Sequence, residues 1–375
     1  MGLASQRKEP PIFTLDDVRA TLGKVLDPAL QIDFVTAGMV KDVSANGGQV
    51  KVAIELTTPA CPHKDVISKS IEGAIRRLDG VTGVDVTLSA AVVPRPSQAQ
   101  NPRLPGVKNI IAVAAGKGGV GKSTVTTNLA AALYRSGARV GILDADIYGP
   151  SIPQMMGDPD VTAAVDTGNK IRPAIHHGLS VISVGFFVER GGAVIWRGPM
   201  VHKLLQQFLE DVEWGELDYL LVDLPPGTGD AQLSLSQLIP ITGAVMVTTP
   251  QEVSIIDVQK AMAMWKRVEV PVIGIVENMA YYVCTSCGNH DEIFSHGGGR
   301  RLAEREGVPF LGEVPLVGAV RGAGDGGKPI TLAQPESPVA KVFEGIAAKV
   351  ACALSVKNFP EPGSGKRSSK LTLIR

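Results

Sequence analysis

The spacing of apolar positions changes along this chain, and the changes mark its parts. Val18, Leu22 and Val25 recur at helical intervals behind the capping box Thr14-Leu15-Asp16-Asp17, which predicts a helix over 15–26 closed by Asp27-Pro28. Two β-rich runs, Met39 to Ser44 and Val50 to Leu56, flank Ala45-Asn46-Gly47-Gly48, a hairpin turn. A helix over 64–78 and a strand over 82–89 complete a small α/β domain, residues 1–91. Residues 92–108, rich in Pro, Ser, Gln and Asn, lose all periodicity and read as an extended linker.

Beyond residue 109 short β-rich runs alternate with helix-length segments. The predicted strands are Ile110 to Ala115, Val140 to Leu143, Leu179 to Val184, Tyr219 to Val222, Gly243 to Thr248, Val272 to Val276 and Phe310 to Glu313. This alternation implies an α/β domain, 109–355, with a doubly wound, mostly parallel sheet covered on both faces. Ligands in such sheets collect at the carboxyl ends of the strands. Val339, Val342, Phe343, Ile346 and Val350 give the segment 338–354 one apolar helical face. The tail 356–375, rich in Lys, Ser, Gly and Pro, is expected to be disordered, its Lys366-Arg367-Ser368-Ser369-Lys370 stretch included.

Composition narrows the class. Lys plus Arg and Asp plus Glu are 37 each, so the chain has no formal net charge, which argues against bulk nucleic-acid binding. No apolar run approaches the roughly 20 residues that span a bilayer, and the charged N-terminus has no signal-peptide core, so a cytoplasmic protein without membrane contact is expected. Four cysteines in 375 residues make no disulfide framework; in a reducing compartment a close pair points to metal or redox chemistry.

The chemistry centres on Gly116-Lys117-Gly118-Gly119-Val120-Gly121-Lys122-Ser123-Thr124. It is a phosphate loop standing between a predicted strand and a predicted helix, where backbone N–H groups and a helix N-terminus can face an anion. Lys122 is placed to meet the β- and γ-phosphates and the Ser123 hydroxyl to join a Mg²⁺ shell. Asp144 and Asp146 close a strand with two carboxylates on one face; Asp146 is the candidate for aligning the attacking water and Asp144 for supporting the metal shell. Asp223, at another strand end, is the candidate Mg²⁺ carboxylate, and Gly227 follows where a loop could sense the γ-phosphate. The strand end Ile275-Val276-Glu277-Asn278-Met279 lacks the Asn-Lys-x-Asp of GTPases, which favours ATP, with Asn278 as a candidate partner of adenine.

Cys284-Thr285-Ser286-Cys287-Gly288 can bite one metal but half fills a tetrahedral site. A twofold dimer would supply four thiolates, enough for a [4Fe–4S] cluster or a zinc ion; a zinc knuckle completed by His290 or His296 stays open on spacing alone. Cys61, in Thr57-Thr58-Pro59-Ala60-Cys61-Pro62, is either a reactive thiol at a strand-to-helix junction or a packed one.

Lys117 gives the loop the deviant Walker A form of the MinD, ParA and nitrogenase iron-protein class. Resemblance to that class implies a face-to-face homodimer in which Lys117 reaches the partner's triphosphate, as an arginine finger does. The chain as a whole resembles the Mrp/ApbC/Nbp35 iron-sulfur cluster carriers. The resemblance is carried by Asp27-Pro28, the Cys61 segment, the loop, Leu143 to Ser151, Trp196 to Met200, Asp223 to Asp230, Glu277-Asn278-Met279, the Cys284/Cys287 pair and Gly297-Gly298-Gly299. It implies an N-terminal MIP18-type domain followed by a P-loop NTPase that binds and hydrolyses ATP, holds a labile [4Fe–4S] cluster between subunits and passes it to apo-proteins. A departure from the family follows Asp33, where Phe34 to Met39 replaces a usual Leu-Gly pair. A partitioning ATPase and an ATP-gated electron donor are the alternative readings.

Overall fold

A computed structural model describes residues 13–96, 104–158, 164–165, 170–187, 198–227, 232, 236, 238–284 and 286–360. The chain divides into two units, residues 1–93 with 355–375, and residues 94–354.

In the first unit, α1 (Leu15–Leu22) starts at Thr14, whose Oγ1 accepts the Asp17 N–H at 3.2 Å while the Asp17 carboxylate accepts the Thr14 N–H at 2.8 Å. The helix ends at Leu22 instead of Leu26: the chain turns at Gly23, and Leu26 bridges to Asp33. Strands β1 (Val40–Asn46) and β2 (Gln49–Leu56) pair antiparallel, with Asn46 opposite Gln49 and Gly47 at φ 61° closing the turn. Helix α2 (Lys64–Ile75), shorter than its predicted end at 78, leads to β3 (Gly83–Ala90), which joins β2 in parallel. Ile54, Ile67, Ile71 and Ile75 meet Val18 and Leu22 in a core of this unit's own.

The second unit is built on β4 (Val107–Ala115), α3 (Lys122–Arg135), β5 (Val140–Asp144), α4 (Ile152–Met155), β6 (Ala164–Val165), β7 (Ile171–Arg172), β8 (Ala174–His176), β9 (Leu179–Ser183), α5 (Gly198–Glu210), β10 (Leu217–Asp223), β11 (Gly243–Thr248), α6 (Glu252–Arg267), β12 (Val272–Val283), β13 (His290–Asp291), α7 (Gly298–Glu306) and β14 (Phe310–Leu316). The main sheet runs β13-β12-β11-β4-β10-β5-β9-β8, with β14 also on β12. All its pairings are parallel except β8 with β9 and β13 with β12. Every residue of β5, β10 and β11 is buried, as it must be in a sheet with both faces covered.

Several predicted boundaries move. Strand β4 begins at Val107, inside the expected linker, because Val107 already pairs with Leu217. Strand β12 continues past Val276 to Val283, since its far end finds new partners in β13 and in Leu316 of β14. The last helix runs Pro338–Asn358, beyond Leu354, with Leu354 and Asn358 both buried one turn apart. The expected tail therefore starts inside a helix, and its residues 361–375 lie outside the described residues.

Candidate functional site

Because β4 lies between β10 and β11, the loop leaving its end at Gly116 opens at the middle of the sheet's carboxyl edge. Two glycines there leave no space for a side chain. A Cβ on Gly116 would fall 2.3 Å from the Asp257 backbone in α6, and one on Gly121, at φ 83°, would fall 2.1 Å from Asn278 Nδ2. The loop delivers the chain into α3, whose first turn faces a cleft of about 190 Å³. Lys117, Gly118, Gly119, Gly121, Lys122, Ser123, Thr124 and Asp146 line that cleft, with Ser151, Met155 and Pro226.

Asp223, fully buried at the end of β10, ties the site together. Its Oδ2 accepts hydrogen bonds from Ser123 Oγ at 2.6 Å and Lys122 Nζ at 2.7 Å, and its Oδ1 accepts one from Thr126 Oγ1 at 2.6 Å. Lys122 Nζ also lies 3.3 Å from Asp146 Oδ2, so one ammonium is shared between two carboxylates. Asp146 Oδ1 is buried with no hydrogen-bond partner. Hard oxygen donors converging from Ser123, Asp223 and Asp146, one of them orphaned, suit Mg²⁺. Bound there with a nucleotide, the ion would neutralise phosphate charge, Ser123 and Asp223 holding it.

The other predicted residues lie around this centre. Lys117 is half-buried, its Nζ 3.5 Å from Gln251 Oε1. Asn278 is buried and donates from Nδ2 to the Val120 carbonyl at 2.8 Å, holding the loop from behind. Gly227 adopts φ 98° and donates its N–H to the Ala115 carbonyl; residues 228–231 and the Trp196-Arg197 pair lie outside the described residues.

The cysteine pair sits in the turn between β12 and β13. Cys284 donates its N–H to the Asn289 carbonyl and accepts one from Gly288. Cys287 is exposed and Cys284 half-exposed; among the described residues no third His, Cys, Asp or Glu ligand atom lies within 4.8 Å of the pair. His290 instead stacks on Tyr281 at 4.9 Å, and His296 bonds Glu313 at 3.1 Å. The N–H groups of Ser286 and then Cys287 turn toward the Cys284 sulfur and hold its thiol below the ordinary range. Cys61 goes the other way: burial pushes its thiol up. None of the four cysteines is in a disulfide.

Comparison with known proteins places this geometry. Residues 106–351 match the NUBPL iron-transfer P-loop NTPase family, and residues 15–86 match an iron-sulfur cluster assembly protein family. The chain belongs to the iron-transfer P-loop NTPases. It is 46% identical over 346 residues to the iron-sulfur cluster carrier protein of Deinococcus radiodurans, covering 92% of this chain and 97% of that one. Against the iron-sulfur cluster carrier protein of Escherichia coli the identity is 41% over 365 residues, 97% of this chain and 98% of the other. A nucleotide-binding protein of Archaeoglobus fulgidus, solved with ADP, superposes with a TM-score of 0.55 at 39% identity, covering 64% of this chain and 93% of that one.

In this iron-transfer NTPase the carboxylates behind the loop are not equivalent. Asp144 is wholly buried, and its oxygens are used by Ser183 Oγ at 2.9 Å and by the N–H groups of Asp146 and Ile152. Burial first, and the charge of Asp223 second, push its carboxyl up to about 8. Burial also raises Asp146, against the pull of the Lys122 ammonium. Thr126, Ser183 and Gln251 were missed as site residues. Thr126 stands one helical turn after Ser123 and could have been found by that spacing. Ser183 and Gln251 arrive from distant elements and leave no local signal.

Proposed function

We propose that the chain is an ATP-hydrolysing carrier that acts in the cytoplasm as a homodimer, holding a labile [4Fe–4S] cargo between its subunits and passing it to apo-proteins. The observation that carries this reading is the Cys284/Cys287 pair, which has no third ligand atom close to it among the described residues and supplies half of a four-thiolate site. A second copy of the chain supplies the other half. Cargo held by two chains lacks a complete cage in either, so opening the dimer releases it.

The loop supplies the control. Lys122, now shared between Asp223 and Asp146, is positioned to move to the β- and γ-phosphates, leaving Asp223 and Ser123 for Mg²⁺. Asp146 then aligns the attacking water, and Lys117 leaves Gln251 to reach the partner's phosphates. An adenine contact from Asn278 would require its amide to leave Val120. No helix among the described residues is long and apolar enough to cross a membrane, and no cysteine is in a disulfide, which supports a reducing aqueous compartment.

The test is anaerobic reconstitution followed by transfer to an apo-protein that gains activity on receiving a cluster. The carrier reading expects transfer from the intact chain and none from the Cys284→Ala/Cys287→Ala variant. Equal activation by both would remove it.

A further inference from the structure

Strand β12 links the loop to the cysteine pair through three consecutive residues. Asn278 donates to the Val120 carbonyl of the phosphate loop at 2.8 Å. The next residue, Met279, has φ 55°, a left-handed conformation that a residue with a side chain rarely adopts, and here the pairing of β12 with β14 slips between Asn278 and Tyr282. The preceding residue, Glu277, is fully buried and accepts the N–H of Gly297 at 2.9 Å and that of Gly299. Past the bulge, β12 pairs Tyr282 with Asp291 and Val283 with His290, then enters Cys284. The segment 284–296 that carries both thiols thus leaves from β12 at one end and is tied back to Glu277 at the other.

Glu277, His296 and Glu313 bring ligand atoms within 4.8 Å of one another, yet their carboxylates are already engaged. Glu277 holds two backbone N–H groups, and Glu313 accepts from Arg300 at 2.9 Å and contacts His296 at 3.1 Å. The cluster is the anchor of the returning segment.

We infer that the Glu277–Met279 segment, which leads into the register slip of β12, couples occupancy of the phosphate loop to the exposure of Cys284 and Cys287, with Asn278 and Glu277 as positioning residues. This rests on reading the loop as the nucleotide site and the pair as the cargo site. A phosphate held by the loop's N–H groups shifts the Val120 carbonyl, which belongs to the same cradle. Asn278 follows that carbonyl, the left-handed Met279 gives the strand a place to re-pair, and Glu277 carries the shift to Gly297. Bulges that re-aim side chains beside functional sites are a recurrent device, and left-handed non-glycine residues persist where surrounding contacts hold them.

The experiment measures iodoacetamide alkylation of each cysteine in the reduced, iron-free full-length chain by peptide mass spectrometry, with and without Mg²⁺ and a non-hydrolysable ATP analogue. Each variant is measured at a concentration shown by equilibrium dialysis to saturate it. In the wild type the nucleotide should change the rate at Cys284 and Cys287 by about fivefold or more, the usual lower end for coupled sites. In Asn278→Ala and Met279→Gly the ratio should fall to about one, with Cys61 and Cys352 unchanged in the same digests. Faster labelling of Cys61 and Cys352 in Asn278→Ala would mean unfolding, and Met279→Gly then decides. A wild type with nucleotide bound and no rate change, or variants that keep the wild-type ratio, would overturn the coupling. Iron content plays no part in this readout, so failure of the carrier reading would register separately, as absence of bound cluster after reconstitution.

Discussion

Asp144 shows how far a side chain's state can depart from its type. Its carboxyl, raised to about 8 by burial and by Asp223, keeps a proton in the folded chain that the unfolded chain gives up near the ordinary carboxylate value. The stability from that proton is complete below the unfolded pKa and is lost as pH climbs through about 8. Thermal melts of the nucleotide-free chain between about pH 6 and pH 9 should therefore show a smaller loss of Tm in Asp144→Asn than in the wild type; an equal or larger loss would contradict the assignment. Lys117 calls for a kinetic test. Lys117→Ala should still bind ATP yet lose roughly a thousandfold in hydrolysis, the scale of a charge delivered to the transition state. Gly116→Ala should cost about 1–3 kcal/mol in urea unfolding, because its methyl would collide with backbone in α6. The loop residues and Asp223 were legible because a phosphate cradle and a strand-end carboxylate are local patterns. The protonation of Asp144 and its bond to Ser183 were not, since both depend on what β9 brings from elsewhere in the chain.

At the scale of elements, most strands could be read from the sequence and their ends could not. Strand β11 begins and ends where its apolar run does, because both its faces are covered and β4 and β12 flank it. Strand β12 outruns its apolar core: beyond Val276 its pairing with β13 and β14, not side-chain pattern, decides its length. That extension puts Cys284 at the tip of a hairpin rather than in a free loop. No described residue of the hairpin lines the phosphate cleft, which predicts a separable phenotype. Cys284→Ala/Cys287→Ala should lose reconstituted iron while equilibrium dialysis finds its ATP affinity within about twofold of the wild type, a difference under about 0.5 kcal/mol. A large loss of affinity would mean the turn helps build the nucleotide site.

The whole molecule has no formal net charge, carries a core in each of its two units, and presents the Cys284/Cys287 pair toward solvent. The family was legible in its long motifs, whereas the second copy of the chain remains our proposal, argued from the chemistry of two thiols. Iron and acid-labile sulfide per chain, measured with molar mass by light scattering after anaerobic reconstitution, test this most directly. The account predicts a dimer with about two iron and two sulfide per chain, one [4Fe–4S] shared by two subunits. A monomer that keeps a full complement of metal, or a single zinc per chain with no sulfide, would contradict it.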